Sequence, residues 1–217
     1  MPYRAIIFDL DGTLLNTLDD LADSTNRVLQ SQGFPIHPVD AYRYFVGNGA
    51  RKLIDRVLPE DQRSEDTIAR CLDLFLKDYE QNWKVKTRPY PGIPELLDAL
   101  QARGIRLAIL SNKPHDFTVH CVASLLPDWR FDLVFGQREG IPPKPHPAAV
   151  LEILEKLRVP QAECLYVGDT STDMQTAVAA SLYPTGVLWG FREREELVEH
   201  GARSLLKHPR DLMTLLE

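Results

Sequence analysis

Two carboxylates separated by one residue follow the first apolar run of the chain. The run ends at Phe8, Asp9 follows it directly, and Asp11 comes two residues later and is followed by Gly12. An apolar run closed by a turn residue predicts a buried strand of a parallel sheet, and ligands bind at the carboxyl ends of such strands. Two like charges are costly to bury without a partner. We therefore predict that this turn holds a cation or raises a carboxyl pKa.

A hydroxyl and an amide side chain, Ser111 and Asn112, follow a second apolar run at residues 107–110. We predict that a helix starts at Pro114, because proline is favourable at the first helical position. Side chains of these types in front of free helical N–H groups suit phosphate binding. The alternative is that Ser111 or Asn112 only caps the helix, which is the commoner role for such residues.

One lysine, Lys144, stands among the prolines of residues 142–147. Proline restricts φ, so the backbone around this lysine is stiff and presents a fixed positive charge. Such a charge suits neighbouring carboxylates and a phosphate. The alternative is an exposed lysine in a surface loop, as most lysines are.

Two further aspartates follow a third apolar run. Asp169 comes directly after residues 165–168, and Asp173 lies four residues on, near a predicted helix start. The alternative is turn and capping chemistry, which favours such residues without any metal. Together with Asp9 and Asp11, however, they collect three or four carboxylates at one sheet edge, where a hard cation with oxygen ligands is needed. Since all four loops lie at strand ends, we predict a single site.

The elements around these loops alternate, except in one region. Helical patterns cover residues 17–33, 39–45, 50–58 and 65–83 without a convincing strand, which predicts an inserted helical domain. After this insertion, strands predicted at 107–110, 133–135, 164–167 and 185–188 alternate with helices, as in a doubly wound α/β fold with a parallel sheet. We predict a core domain of residues 1–16 and 86–217 and a helical domain of residues 17–85.

Composition limits the function classes. The 217 residues carry a net charge of −6, which argues against nucleic acid or an anionic membrane as the main partner. No apolar run reaches the roughly 18 residues of a membrane span, and the N-terminus lacks a signal-peptide pattern. Three cysteines, Cys71, Cys121 and Cys164, lack metal-like spacing and are expected to be buried in a reducing compartment. We expect a cytoplasmic protein, either a monomer or a homodimer.

The motif residues occur in the order found in the haloacid dehalogenase (HAD) superfamily, which the sequence resembles. They are Asp9-Leu10-Asp11-Gly12-Thr13, Ser111-Asn112, Lys144-Pro145, and Gly168-Asp169 with Asp173. The resemblance implies a Rossmann-like core and identifies the inserted helices with the all-helical cap domain of the family. Val46-Gly47-Asn48-Gly49-Ala50 and Trp189-Gly190-Phe191 resemble the phosphoglycolate phosphatase branch.

Roles follow from the resemblance for the carboxylates. It implies that Asp9 is a nucleophile that forms an aspartyl-phosphate and that Asp11 is the general acid and base. The metal would be Mg²⁺, with Asp9, the backbone carbonyl of Asp11, and Asp169 as its protein ligands. Asp173 would act from the second layer around the metal.

The resemblance also implies binding roles. Ser111, Asn112 and Lys144 would hold the phosphoryl oxygens. In the cap, Asn48 and Arg51 could contact the substrate. Lys113 and His146, which adjoin the motifs, are expected to face solvent or to cap helices.

The implied activity is that of a Mg²⁺-dependent phosphomonoester hydrolase acting on a small anionic phosphate such as 2-phosphoglycolate. Open alternatives are a related phosphatase for a nucleotide, pyrophosphate or a sugar phosphate, a phosphomutase, and a non-catalytic binding protein.

Overall fold

The computed structural model describes residues 3–217 and contains a six-stranded sheet and a separate two-stranded sheet. In chain order the strands are β1 (Ala5–Phe8), β2 (Leu15–Asn16), β3 (Arg88–Pro89), β4 (Arg106–Pro114), β5 (Leu133–Gln137), β6 (Cys164–Gly168), β7 (Tyr183–Val187) and β8 (Ser204–Leu206). The helices are α1 (Leu18–Ser31), α2 (Tyr42–Phe45), α3 (Ala50–Val57), α4 (Glu65–Asn82), α5 (Ile93–Ala102), α6 (His115–Leu125), α7 (Ala148–Leu157), α8 (Ser171–Ala179) and α9 (Arg194–Glu199). Short 3-10 segments lie at Val39–Ala41, Glu60–Gln62, Gln161–Glu163 and Pro209–Leu216.

The large sheet has the strand order β5-β4-β1-β6-β7-β8, and its neighbouring strands pair in parallel. Strand β1 lies near the middle, with Ile7 in register with Ala108 of β4 and Tyr166 of β6. All four residues of β1 are buried, as expected for an apolar strand that is covered on both faces. This arrangement is the predicted α/β fold with a Rossmann-like parallel sheet, and it brings the carboxyl ends of β4, β1 and β6 side by side.

The chain divides into two compact units. One consists of the residues up to Leu15 together with Pro89–Glu217, and it contains the large sheet. The other is Asn16–Arg88, which contains α1 to α4. Within the helical unit α1 packs against α4, and the N-cap side chain of Ser64 accepts a hydrogen bond from the Thr67 N–H at the start of α4.

A buried carboxylate organises the end of the helical unit. Asp20, in the first turn of α1, accepts hydrogen bonds from the Lys86 N–H (2.9 Å to Oδ2 and 3.0 Å to Oδ1). It also accepts bonds from the N–H and the hydroxyl of Thr87, both at 2.8 Å. The side chain is only 2% exposed. Because it binds two main-chain N–H groups that lie 66 and 67 residues away, Asp20 ties the returning chain to α1.

Several element boundaries differ from the prediction. Strand β4 continues through Pro114, whose ψ of 139° is extended, so α6 begins at His115 rather than at the proline. The short edge strand β8 was not predicted, and Pro209–Leu216 forms a 3-10 helix. The three cysteines are free and buried, as expected. None of the helices in residues 3–217 is long and apolar enough to cross a membrane.

Candidate active site

Polar residues from three neighbouring strand ends meet at the carboxyl edge of the large sheet. Asp9 follows β1, Asp169 follows β6, and Ser111 lies in the last part of β4. Because the three strands are parallel, these ends share one edge. Asp9 and Ser111 are 6% and 4% exposed, and Asp169 is completely buried.

Lys144 joins the first and the last of the predicted motifs. Its Nζ donates to Asp9 Oδ1 at 2.8 Å and to Asp173 Oδ1 at 2.7 Å. The residue is 6% exposed, so the alternative of a surface lysine is wrong. The Asn112 amide binds both main-chain groups of Lys144, accepting from its N–H (2.9 Å) and donating to its carbonyl oxygen (3.2 Å). Asn112 therefore holds the backbone of the lysine, a role that sequence reasoning missed.

The Asp169 carboxylate is fixed from both sides. Thr13 Oγ1 donates to Oδ1 at 2.9 Å, and the Phe191 N–H donates to Oδ2 at 2.8 Å. Trp189 Nε1 in turn donates to the Thr13 carbonyl oxygen at 3.0 Å. Gly12, with φ of +91°, approaches so closely that a Cβ there would lie 2.2 Å from Asp169 Oδ2. The first motif therefore needs glycine both for its backbone conformation and for the space beside Asp169.

The Asp173 carboxylate is more heavily engaged. Its Oδ2 accepts from the Thr170 N–H (3.1 Å) and hydroxyl (2.6 Å), forming a capping box at the start of α8. Its Oδ1 accepts from Lys144 and, at 3.3 Å, from the Tyr166 hydroxyl. The capping interpretation of Asp173 is thus correct, and the same side chain also belongs to the cluster of carboxylates.

Lys113 is placed differently from the expectation that it faces solvent or caps a helix. It is 8% exposed, and its Nζ donates to both carboxylate oxygens of Asp11, at 2.9 and 3.0 Å. Ser111 Oγ accepts a bond from the Lys113 N–H at 3.2 Å, and α6 has no side-chain cap. Neither Ser111 nor Asn112 therefore serves as the cap of that helix. His146, in contrast, is exposed and accepts from the Ala148 N–H near the start of α7, as expected.

The two predicted cap residues lie in the helical unit. Asn48 Oδ1 accepts from Arg56 Nη2 at 2.8 Å, and Nη1 of the same arginine binds the Phe45 carbonyl oxygen at 3.0 Å. Arg51 forms an exposed ion pair with Glu65. Arg56 therefore orders the turn that presents Asn48. Substrate contacts of Asn48 and Arg51 stay a prediction.

Burial and like charge perturb the ionisable groups of the sheet edge. Burial, reinforced by Asp173, raises the pKa of Asp9 well above its usual value, although Lys144 opposes this shift. The pKa of Asp169 rises to about 7, because burial and the neighbouring Asp173 outweigh the hydrogen bonds that it accepts. For Lys144, burial lowers the pKa, but the Asp173 and Asp9 carboxylates outweigh it and leave the pKa well above its usual value. Negative charge on the carboxyl groups of this cluster is therefore unfavourable in the absence of a further cation.

This charge fits a divalent cation. Asp9, Asp169 and Asp173 each offer one carboxylate oxygen, and these oxygens lie within 4.8 Å of one another. Including Asp11, four carboxyl groups lie at this edge with two buried lysines, Lys113 and Lys144, so the carboxyl groups outnumber the ammonium groups. Oxygen-only donors of this kind match the preference of Mg²⁺. The residues present therefore fit a magnesium ion.

Comparison with known proteins assigns the chain to a family. The family model described as haloacid dehalogenase-like hydrolase matches residues 6–187. The chain belongs to the haloacid dehalogenase-like hydrolases. This family membership agrees with the resemblance seen in the motifs.

Several similar proteins carry the same name. A protein from Nitrosospira multiformis named phosphoglycolate phosphatase is 36% identical over 203 residues, covering 92% of this chain and 89% of its own. One of the same name from Aquifex aeolicus is 33% identical and covers 99% of this chain and 97% of its own. The crystal structure of a Lactobacillus delbrueckii subsp. bulgaricus protein, proposed to be a phosphoglycolate phosphatase, superposes with a TM-score of 0.94 at 31% identity, covering 100% of this chain and 99% of its own.

Proposed function

We propose that this protein is a Mg²⁺-dependent phosphoglycolate phosphatase that hydrolyses 2-phosphoglycolate through an aspartyl-phosphate on Asp9. Membership of the hydrolase family and the shared name of relatives that match nearly the whole chain support a phosphoric monoester hydrolase. The observation that carries the mechanism is the buried Asp9 carboxylate, which lies at a strand end and is held by Lys144. The substrate is a small phosphate ester; neither nucleic acid nor a membrane is proposed as a partner.

Asp9 acts in the first step. Because Lys144 fixes Oδ1, the carboxylate presents a defined orientation from which Oδ2 attacks phosphorus. The bond between phosphorus and the ester oxygen breaks, and the leaving glycolate oxygen takes a proton from Asp11. The products of this step are glycolate and a phosphorylated Asp9.

Water completes the reaction in the second step. Asp11, now ionised, takes a proton from water as its oxygen attacks phosphorus. The bond between phosphorus and the Asp9 oxygen breaks, inorganic phosphate leaves, and the carboxylate is restored. Asp11 thereby returns to its protonated state, ready for the next ester.

The phosphoryl oxygens are bound by groups that the sheet edge fixes in advance. We assign Ser111, Asn112 and Lys144 to this task, since fixed donors and charges stabilise the charge that develops in transfer. Asp9, the Asp11 carbonyl oxygen and Asp169 would hold Mg²⁺, which would supply positive charge to the phosphoryl group. Asp173, whose two oxygens already accept four hydrogen bonds, supports the site from behind these ligands.

The helical unit is proposed to be the cap. In this proposal residues 17–85 cover the site of the core, residues 1–16 and 86–217, and exclude bulk water during transfer. Asn48 and Arg51 are the proposed contacts to the carboxylate of the substrate. We also propose a cytoplasmic location, where the three free cysteines would remain reduced.

Substitution of the nucleophile tests the proposal. Asp9→Asn should abolish release of phosphate from 2-phosphoglycolate while the fold, followed by circular dichroism, is retained. Asp61→Asn, at an exposed aspartate, serves as the matched control and should keep full activity. The assay includes a nucleotide, pyrophosphate and a sugar phosphate, each with Mg²⁺ and with EDTA. Residual hydrolysis by Asp9→Asn contradicts the mechanism, and a clear kinetic preference for another ester contradicts the substrate.

A further inference from the structure

The buried ammonium group of Lys113 has no role in the mechanism as proposed above. It donates to both oxygens of the Asp11 carboxylate, at 2.9 and 3.0 Å, and lies 5.6 Å from the centre of the Phe117 ring. The side chains of Lys113 and Asp11 are 6% and 20% exposed. This ion pair is therefore largely withdrawn from solvent, unlike the surface pairs of the chain, whose net contribution is small.

The backbone of Lys113 is held as firmly as its side chain. Ser111 Oγ accepts from its N–H at 3.2 Å, and Thr118 Oγ1 donates to its carbonyl oxygen at 3.2 Å. On the other side, Gly136 of β5 approaches so closely that a Cβ there would lie 2.5 Å from the same carbonyl oxygen. Lys113 is thus anchored at both main-chain groups and at its charged end.

The anchored Lys113 restrains the Asp11 side chain, which would otherwise rotate freely. The terminal torsion of aspartate is broad, so a carboxylate in a turn does not by itself keep one orientation. We propose that Lys113 is a positioning residue that holds the Asp11 carboxylate in the orientation from which it exchanges protons. One Asp11 oxygen stays on the ammonium group while the other gives its proton to the ester oxygen or takes one from water. The inference rests on the acid and base role proposed for Asp11.

Two phosphate esters with different leaving groups can distinguish the positioning role of Lys113 from a purely structural role. An alkyl ester such as 2-phosphoglycolate expels a strongly basic oxygen and needs a proton, whereas p-nitrophenyl phosphate expels a weakly basic phenolate and needs little help. The value of kcat/KM reports only the steps up to departure of the leaving group. Loss of Lys113 should therefore lower kcat/KM for the alkyl ester much more than for the aryl ester.

The experiment compares Lys113→Met, which keeps an unbranched stem but removes the charge, with Lys113→Arg, which restores two-oxygen contact to a carboxylate. For Lys113→Met we expect kcat/KM on 2-phosphoglycolate to fall about 100-fold, the lower end for general acid catalysis, and to fall less than about 5-fold on p-nitrophenyl phosphate. Lys113→Arg should recover at least about 10-fold of the alkyl-ester loss. Lys77→Met, at an exposed lysine paired with Asp73, is the control and should change neither value.

Each other outcome has a defined meaning. Equal losses on the two esters, or a loss confined to KM, would overturn the positioning role and indicate contact with the substrate or a general structural effect. Unchanged kinetics in Lys113→Met would overturn it as well. If Lys113→Met does not fold, Lys113→Gln is compared on the same two esters. Wild-type protein that hydrolyses no phosphate ester would overturn the proposed function, and this inference with it.

Discussion

Replacing Asp169 by Asn should stabilise the metal-free protein while abolishing its function. The carboxyl group has its pKa raised from 3.8 to about 7, chiefly because it is buried and lies beside Asp173. A shift of about three units corresponds to roughly 4 kcal/mol that disfavours the ionised folded state at pH 8, at about 1.4 kcal/mol per unit. Asn removes the charge, and its amide can still accept from the Phe191 N–H and donate to the Thr13 hydroxyl.

The sign follows from proton linkage. A carboxyl group whose pKa is higher in the folded protein binds more protons there than in the unfolded chain, so its ionisation destabilises the fold. This penalty is absent below about pH 4, grows as pH rises, and is complete above about pH 7. In EDTA, Asp169→Asn should therefore be more stable than wild type by about 2–4 kcal/mol at pH 8, and by less than half of that at pH 5.

Urea unfolding in EDTA measures this difference, with equal m-values required for the comparison. Millimolar Mg²⁺ should then stabilise the wild type and leave Asp169→Asn unchanged, because a cation that binds only the folded state stabilises it. Asp61→Asn, at an exposed aspartate, is the control and should follow the wild type under all conditions. A variant that unfolds at lower urea than the wild type in EDTA at pH 8 would refute the reasoning, since the carboxylate would then stabilise the fold.

Two further predictions concern Asp20, which binds the chain where it returns to α1, and Gly12, which lies against Asp169. Asp20→Ala should lower the free energy of unfolding by about 3 kcal/mol in urea titrations, because the buried N–H and hydroxyl of Thr87 and the partly buried N–H of Lys86 lose their acceptor. Asp23→Ala, which loses an exposed ion pair, should cost less than about 1 kcal/mol, and equal losses would contradict this account. Gly12→Ala should lower kcat about 100-fold, because the new Cβ displaces Asp169. Gly104 also has a positive φ, but a Cβ added there would meet nothing within 4 Å. Gly104→Ala is therefore the control and should keep activity. If Gly104→Ala were inactive as well, the loss in Gly12→Ala would be due to backbone strain.

The succession of the main strands along the chain and their shared edge could be predicted, because apolar runs and the residues that follow them are local signals. Asp9, Ser111 and Asp169 each stand directly after such a run, and the structure places all three at one edge. Short edge strands are weaker signals. Strand β8 has three residues and lies at the border of the sheet, so its pattern does not distinguish it from a loop.

The least predictable part of the site is Lys113. Its sequence position, next to a motif and before a proline, is equally typical of an exposed lysine. Its burial depends on the extension of β4 past Leu110, where the register with β5 shifts, and on Gly136 in that neighbouring strand. The engagement of Asn112 with the Lys144 backbone likewise joins groups 32 residues apart. Contacts of this range arise from tertiary packing, which a local pattern does not contain.

The two-stranded sheet formed by β2 and β3 makes the helical unit an exchangeable module. The segments through which the chain leaves and re-enters the core, Leu15–Asn16 and Arg88–Pro89, are paired neighbours, and paired strands lie about 4.8 Å apart. Whatever is inserted between them has only to bring its ends to that separation, and the entropy of closing such an insertion grows slowly with its length. Insertions of different size and shape can therefore replace one another here without altering the register of the large sheet.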